Sequence, residues 1–152
     1  MREQIIRAID STSKEFRLPV MLIHAIIRIE SEYKIDAAHP EVTTTVAGKK
    51  TKIKAAGLGG IVWEIWEDSL KAKGIAETRT DLLFPESNIR ATGYILRDAT
   101  DKIMKSPTSE RTIVRKIIRQ YYGAYSVPYE NRMEKVTSDL SMKRIARDLR
   151  KS

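Results

Sequence analysis

Apolar residues recur along most of the chain with the period of an α-helix, and this restricts the fold more than any other feature. A buried helical stripe reads i, i+3, i+4, i+7, because side chains return to one face every three or four positions. Ile5, Ile6, Ile9 and Phe16 predict a first helix from about Glu3 to Phe16. Leu22, Ile23, Ile26, Ile27 and Ile29 predict a second, with Pro19 in its first turn and an end near Tyr33. Ile61, Val62, Ile65, Trp66 and Leu70 give a third, stopped near Gly74. Glu86 to Lys105 forms a long fourth, with Ile89, Gly93, Leu96, Ala99 and Ile103 facing inward. The start signal SPTSE then leads into a fifth, carried by Ile113, Val114, Ile117, Ile118 and Tyr121. Shorter helices follow at Tyr129 to Val136 and Leu140 to Arg150.

One stretch breaks this period. VTTTVAGKKTKIK, Val42 to Lys54, alternates β-branched and polar residues about a turn near Ala47-Gly48, which predicts a single hairpin. A lone hairpin is marginal in water, so this one must rest on the helices. The expected class is mainly α with one small β-hairpin. At 152 residues, with no linker, repeat or low-complexity segment, the chain reads as one domain spanning residues 1–152. That length buries a core without staples. With no cysteine, disulfides and thiolate metal sites are excluded. No apolar run reaches the length of a membrane span, so stable membrane insertion is not expected. The net charge of +8 predicts attraction to an anionic partner without choosing among nucleic acid, membrane surface and cell-wall polymer.

The second helix holds an anomaly. From Ile23, the helical spacing that selects Ile26 and Ile27 lands next on Glu30. A carboxylate on a buried face is desolvated, which disfavours its charged form and raises its pKa. A general acid working near neutral pH needs that property. The same position also suits a glutamate that snorkels from the helix end or pairs with an arginine.

The order of the residues that follow favours the first of these. Glu30-Ser31, Ala55-Ala56-Gly57-Leu58, Asn88-Ile89 with Gly93-Tyr94-Ile95-Leu96, Gln120-Tyr121-Tyr122-Gly123 and Tyr129 occur in sequence. Together they resemble the soluble-type lytic transglycosylase domain, related to goose-type lysozymes, over residues 18–136. A basic helical segment at 138–151 follows. The resemblance implies a lysozyme-like helical domain that cleaves the β-1,4 bond between N-acetylmuramic acid and N-acetylglucosamine in peptidoglycan. Glu30 would act first as acid, then as base, and the sugar's own 6-hydroxyl would close a 1,6-anhydro ring. No cofactor or metal is implied. The substrate's acetamido group would stabilise the cationic intermediate, which removes the need for the second carboxylate of ordinary glycosidases. Glu32 and Asp36 do not offer one, and Glu64, Glu67 and Asp68 fit a solvated helix face.

The resemblance further implies substrate contacts at Ser31, Gly57, Leu58 and Tyr121, while Tyr94 either reaches the cleft or fills core, and Tyr121 and Tyr122 also suit ordinary core positions. Tyr122 replaces the family's asparagine, and Gly59-Gly60 replace its methionine and glutamine, so there the backbone itself can approach a sugar. His39 stands where relatives carry a serine, either as a substrate contact or as an exposed loop residue. Asn88 is expected to be architectural, or a helix cap. Trp63 or Trp66 either stacks on sugar or fills core. The segment Glu41 to Lys54 is an insertion relative to the family's short link, expected as a flap beside the cleft or as a solvated hairpin. The C-terminal stripe of Met142, Ile145, Ala146 and Leu149 is expected to dock on the domain.

Three other readings stand beside this one. A hydrolytic lysozyme of the same fold would use a positioned water. A degenerate member would bind glycan without cleaving it. A basic nucleic-acid-binding module is disfavoured, because the charge is dispersed and no recognition motif is present. The expected partner is the peptidoglycan strand, met by a monomer in the cell wall or periplasm. The opening MREQIIRAID mixes charge with apolar residues and does not read as a signal peptide. Delivery is therefore expected through phage lysis, a virion, or a longer secreted chain.

Overall fold

The computed structural model describes residues 1–106, 109–123, 127–138 and 141–151, with residues 111 and 127–129 described by backbone alone. It is mainly helical, with a single two-stranded antiparallel hairpin among the described residues. The helices are α1 (Arg2–Phe16), α2 (Val20–Ser31), α3 (Trp63–Ala72), α4 (Pro85–Met104), α5 (Glu110–Tyr122), α6 (Val127–Ser138) and α7 (Met142–Lys151). The strands are β1 (Glu41–Val46) and β2 (Lys49–Lys54). Pro107, Thr108 and Leu140 lie outside the described residues, as does the side chain of Tyr129.

The long α4 is the spine: α1 packs along one side of it and α5 along another, while α2 reaches α6 and α7 covers α5. Gly93 makes the α1 contact possible. A β-carbon there would strike Thr12 and lie 2.8 Å from the Phe16 ring. The main core is built from the predicted stripes, including Ile9, Leu22, Ile26, Ile29, Ile89, Leu96, Val114 and Ile117. A smaller cluster gathers Ile61, Trp63, Leu70, Leu82 and Ile95. Phe16 and Tyr121 pack against both.

Several element boundaries differ from the sequence expectation. Pro19 caps α2 from outside, with extended backbone, rather than opening its first turn. The helix stops at Ser31 because Glu32 and Tyr33 both turn left-handed (φ 50° and 64°). Ile61 and Val62 are not helical. Gly57 and Gly60, at φ 68° and 62°, close a tight turn whose ends Ala56 and Ile61 exchange backbone hydrogen bonds of 2.8 and 3.0 Å. Positive φ costs glycine little and other residues more, so α3 starts only after this turn, at Trp63. A short 3-10 turn at Arg79–Leu83 had no periodic signal.

The hairpin has the expected register, pairing Val42 with Ile53 and Val46 with Lys49 about Ala47-Gly48. Both turn residues have positive φ (50° and 81°), the condition for a two-residue hairpin turn matched to strand twist. Its ties are concentrated at its base. Ile53 is buried, and the Arg79 guanidinium donates to the Lys54 carbonyl (2.8 Å) while pairing with Glu64. At the other end of the chain, α7 docks as its stripe requires, burying Ile145, Ala146 and Leu149. No helix among the described residues is long and apolar enough to cross a membrane.

Candidate active site

Three side chains brace the turn between Ala56 and Ile61. Asn88, buried on α4, donates from Nδ2 to the carbonyls of Ala56 and Leu82 (both 2.8 Å) and accepts from the Gly59 N–H (2.8 Å). Its amide thus replaces the pairing that an irregular buried backbone would otherwise lack. On the far side of the turn, His39 Nε2 lies 2.9 Å from the Gly57 carbonyl oxygen. From α5, the Tyr121 hydroxyl donates to the Gly59 carbonyl at 2.6 Å. Any side chain at position 59 would collide with Thr92 and crowd the Tyr121 hydroxyl at 3.1 Å.

This bracing brings bare backbone against Glu30. A β-carbon on Gly60 would lie 2.5 Å from Glu30 Oε2. The carboxyl group forms one wall of a cleft of about 150 Å³, completed by Gly60, Ile61, Val62, Ile65, Trp66, Ile95 and the α5 end from Gln120 to Gly123. Most of that lining is apolar, and burial pushes the Glu30 pKa from 4.5 up to about 8, against the opposing pull of the Arg132 guanidinium. At neutral pH this group is predominantly a protonated acid. Burial also holds the Tyr121 hydroxyl proton more tightly than in an ordinary phenol, as does any negative charge on Glu30. Tyr121 is therefore a hydrogen-bond donor and not a base.

Among the described residues, Glu30 is the only carboxylate lining this cleft. Glu64 pairs with Arg79, and Glu67 pairs with Lys71. Glu32 does not line the cleft and lies 3.9 Å from Lys34, and Asp36 is exposed. No three His, Asp or Glu side chains gather as metal ligands would among the described residues.

The sequence-derived site residues fall into two groups. Glu30, Gly60, Tyr121 and Tyr122 line the cleft together. Ser31, His39, Gly57, Leu58, Gly59 and Tyr94 do not. Ser31 turns inward and donates to the Ile27 carbonyl (2.9 Å), because its position on α2 faces the core. Leu58 is fully buried. Gly57 packs on Asn88 and Leu82, and Gly59 packs on Thr92. His39 is neither exposed nor a cleft residue, since its ring is drawn in by the Gly57 carbonyl. Tyr94 stands behind the cleft, edge-on to Phe16 and Trp66. Trp63 is buried in the smaller core cluster, and Trp66 packs against that cluster while lining the cleft.

Sequence reasoning missed Ile65, Ile95 and Arg132. Ile65 was read as part of the apolar stripe of α3, yet it is 53 % accessible and lines the cleft. Arg132 carried none, because its approach to Glu30 depends on how α6 packs on α2. Set against protein-family models, curated proteins and solved structures, the chain matches none.

Proposed function

We propose that the chain cleaves peptidoglycan glycan strands as a lytic transglycosylase, with Glu30 as the single acid and base. The observation that carries this reading is a buried carboxyl group, the only one among the described residues on the wall of a mostly apolar cleft, where burial raises its pKa to about 8. A buried acid with a pKa of about 8 is poised to protonate a leaving glycosidic oxygen at neutral pH. Once it has given up that proton, the carboxylate is basic enough to take one from the sugar's 6-hydroxyl. The attack of that hydroxyl on the anomeric carbon closes the 1,6-anhydro ring and consumes no water. Ordinary retaining and inverting schemes need two carboxylates, and substrate-assisted chemistry does not. The lining of this cleft fits the second arrangement.

Tyr121 and the Gly59-Gly60 backbone would act on the acid rather than the sugar: the tyrosine pins the turn, and the turn keeps Gly60 against the carboxyl group. Trp66 offers an aromatic edge beside the cleft for a pyranose face. The net positive charge favours retention on an anionic wall. The test is release of soluble fragments from purified peptidoglycan by the wild type and by Glu30→Gln. Loss of a positioned general acid costs on the order of 10²–10⁴ in rate, so the variant should release essentially nothing. Equal release by both proteins would refute the assignment of Glu30.

A further inference from the structure

Half of the chain's net charge stands on one helix. From Met142 to Lys151, α7 carries five basic residues and one acid, a net +4 of the total +8. Residues 41–54, the hairpin, carry a further +3 from four lysines and Glu41, so the rest of the chain is close to neutral. The two basic segments are held differently. The hairpin is tied at its base, whereas α7 is docked along one side. Its Ile145, Ala146 and Leu149 are buried, it packs on α5, and its Arg150 pairs with Glu110 at 2.8 Å.

That docking fixes which way the charges face. Opposite the buried stripe stand Arg144, Arg147 and Lys151, with Lys143 beside them. All four are exposed, and none has a carboxylate within 4.0 Å among the described residues. Arg147 reaches back to the Lys143 carbonyl at 3.5 Å, a neutral partner that leaves its charge uncompensated. Lys143, Arg147 and Lys151 follow at intervals of four residues, which sets successive cations about 6 Å apart along the face. The one acid, Asp148, stands at its margin. None of the exposed large apolar side chains among the described residues belongs to α7, and its exposed face carries no asparagine, glutamine or aromatic ring.

We propose that this outer face of α7 docks the protein on an anionic phospholipid bilayer, through Lys143, Arg144, Arg147 and Lys151. An interfacial helix ordinarily sinks its apolar stripe among the headgroups. Here α5 covers that stripe, so the contact is made by charge alone and the chain stays on the surface. Clusters of about four to eight basic residues on an amphipathic helix recognise anionic lipid, each residue adding about fivefold in affinity near the surface. Four such residues together add roughly several hundredfold. Reading or stacking on bases needs amide or aromatic side chains, which this face lacks. The choice of a bilayer over the phosphates of nucleic acid rests also on the transglycosylase reading, whose substrate lies outside a membrane and not beside the genome.

The test is co-sedimentation of the full chain with vesicles of phosphatidylcholine, alone or mixed equally with phosphatidylglycerol, at low and high salt. The expected result is binding to the mixed vesicles only, lost as salt screens the charges. Arg144→Gln combined with Arg147→Gln removes two exposed cations without touching the core, and should weaken binding about thirtyfold. Lys49→Gln combined with Lys50→Gln removes the same charge from the hairpin and should leave binding nearly unchanged. Equal losses from the two pairs would overturn the proposal, because net charge and not α7 would then hold the vesicle. So would absence of binding to the mixed vesicles, or equal binding to phosphatidylcholine alone. Release of the bound chain by duplex DNA at equal phosphate concentration would also overturn it, marking a general polyanion surface. Failure of the wild type to cleave glycan would sink the transglycosylase reading alone, because vesicle binding is read without catalysis.

Discussion

Burial keeps Glu30 protonated, and the same burial makes it a liability to stability. In the unfolded chain it titrates near 4.5, and in the folded protein near 8. Between those values the folded state holds a proton that the unfolded chain has released, so stability falls as pH rises through that window. Below 4.5 both states are protonated and no penalty exists. Above 8 both are ionised, and the full cost of a buried carboxylate remains. Each pH unit across the window is worth about 1.4 kcal/mol at most, a few kcal/mol in all. Glutamine does not titrate. Thermal denaturation should therefore find Glu30→Gln close to the wild type at pH 4 and distinctly more stable at pH 8.5. A constant difference across that range would mean that Glu30 is not held protonated. Asn88 is the structural counterpart. Asn88→Ala would strip partners from Gly59, Ala56 and Leu82 at once, and each unsatisfied buried group costs about 1–3 kcal/mol. Denaturant unfolding should show a loss of at least about 3 kcal/mol; a loss below 1 would mean that the turn holds itself.

At the scale of elements, the helices were legible and the turn between them was not. Stripes such as Ile113, Val114, Ile117 and Ile118 repeat over several turns, so packing and periodicity agree, and α5 appears where its stripe lies. The hairpin was equally plain, because Ala47-Gly48 interrupts a clean alternation. The run from Ala56 to Val62 misled, since Ile61 and Val62 continue the stripe of α3 while the glycines before them impose a turn. Local pattern cannot weigh a tertiary partner such as Asn88, and for the same reason it could not turn Ser31 and His39 inward. Glu30 was legible because it violates a pattern. Arg132 was not, because it violates none. The hairpin also yields a prediction of its own scale. Ala47 carries a positive φ that asparagine tolerates better, so Ala47→Asn should stabilise the turn by a few tenths of a kcal/mol. Since the hairpin's ties lie at its base, amide exchange in β1 and β2 should slow while the global unfolding midpoint hardly moves. An equal shift in both would show that the hairpin unfolds only with the core.

For the whole molecule, the architecture separates building from chemistry. α4 and the helices around it bury the main core, and the buried acid on α2 interrupts its apolar stripe. The Asn88-braced turn and the α5 terminus, joined by the Tyr121–Gly59 hydrogen bond, line the cleft with that acid, and no other carboxylate among the described residues does. The proposed reaction makes a specific claim about its product, because no second carboxylate among the described residues lines the cleft to activate water. The most direct test is mass spectrometry of the muropeptides released from purified peptidoglycan. The account predicts chain ends lighter by one water than reducing sugars, the mark of the 1,6-anhydro ring, and none from Glu30→Gln. Ordinary reducing ends, carrying the full mass of water, would contradict it.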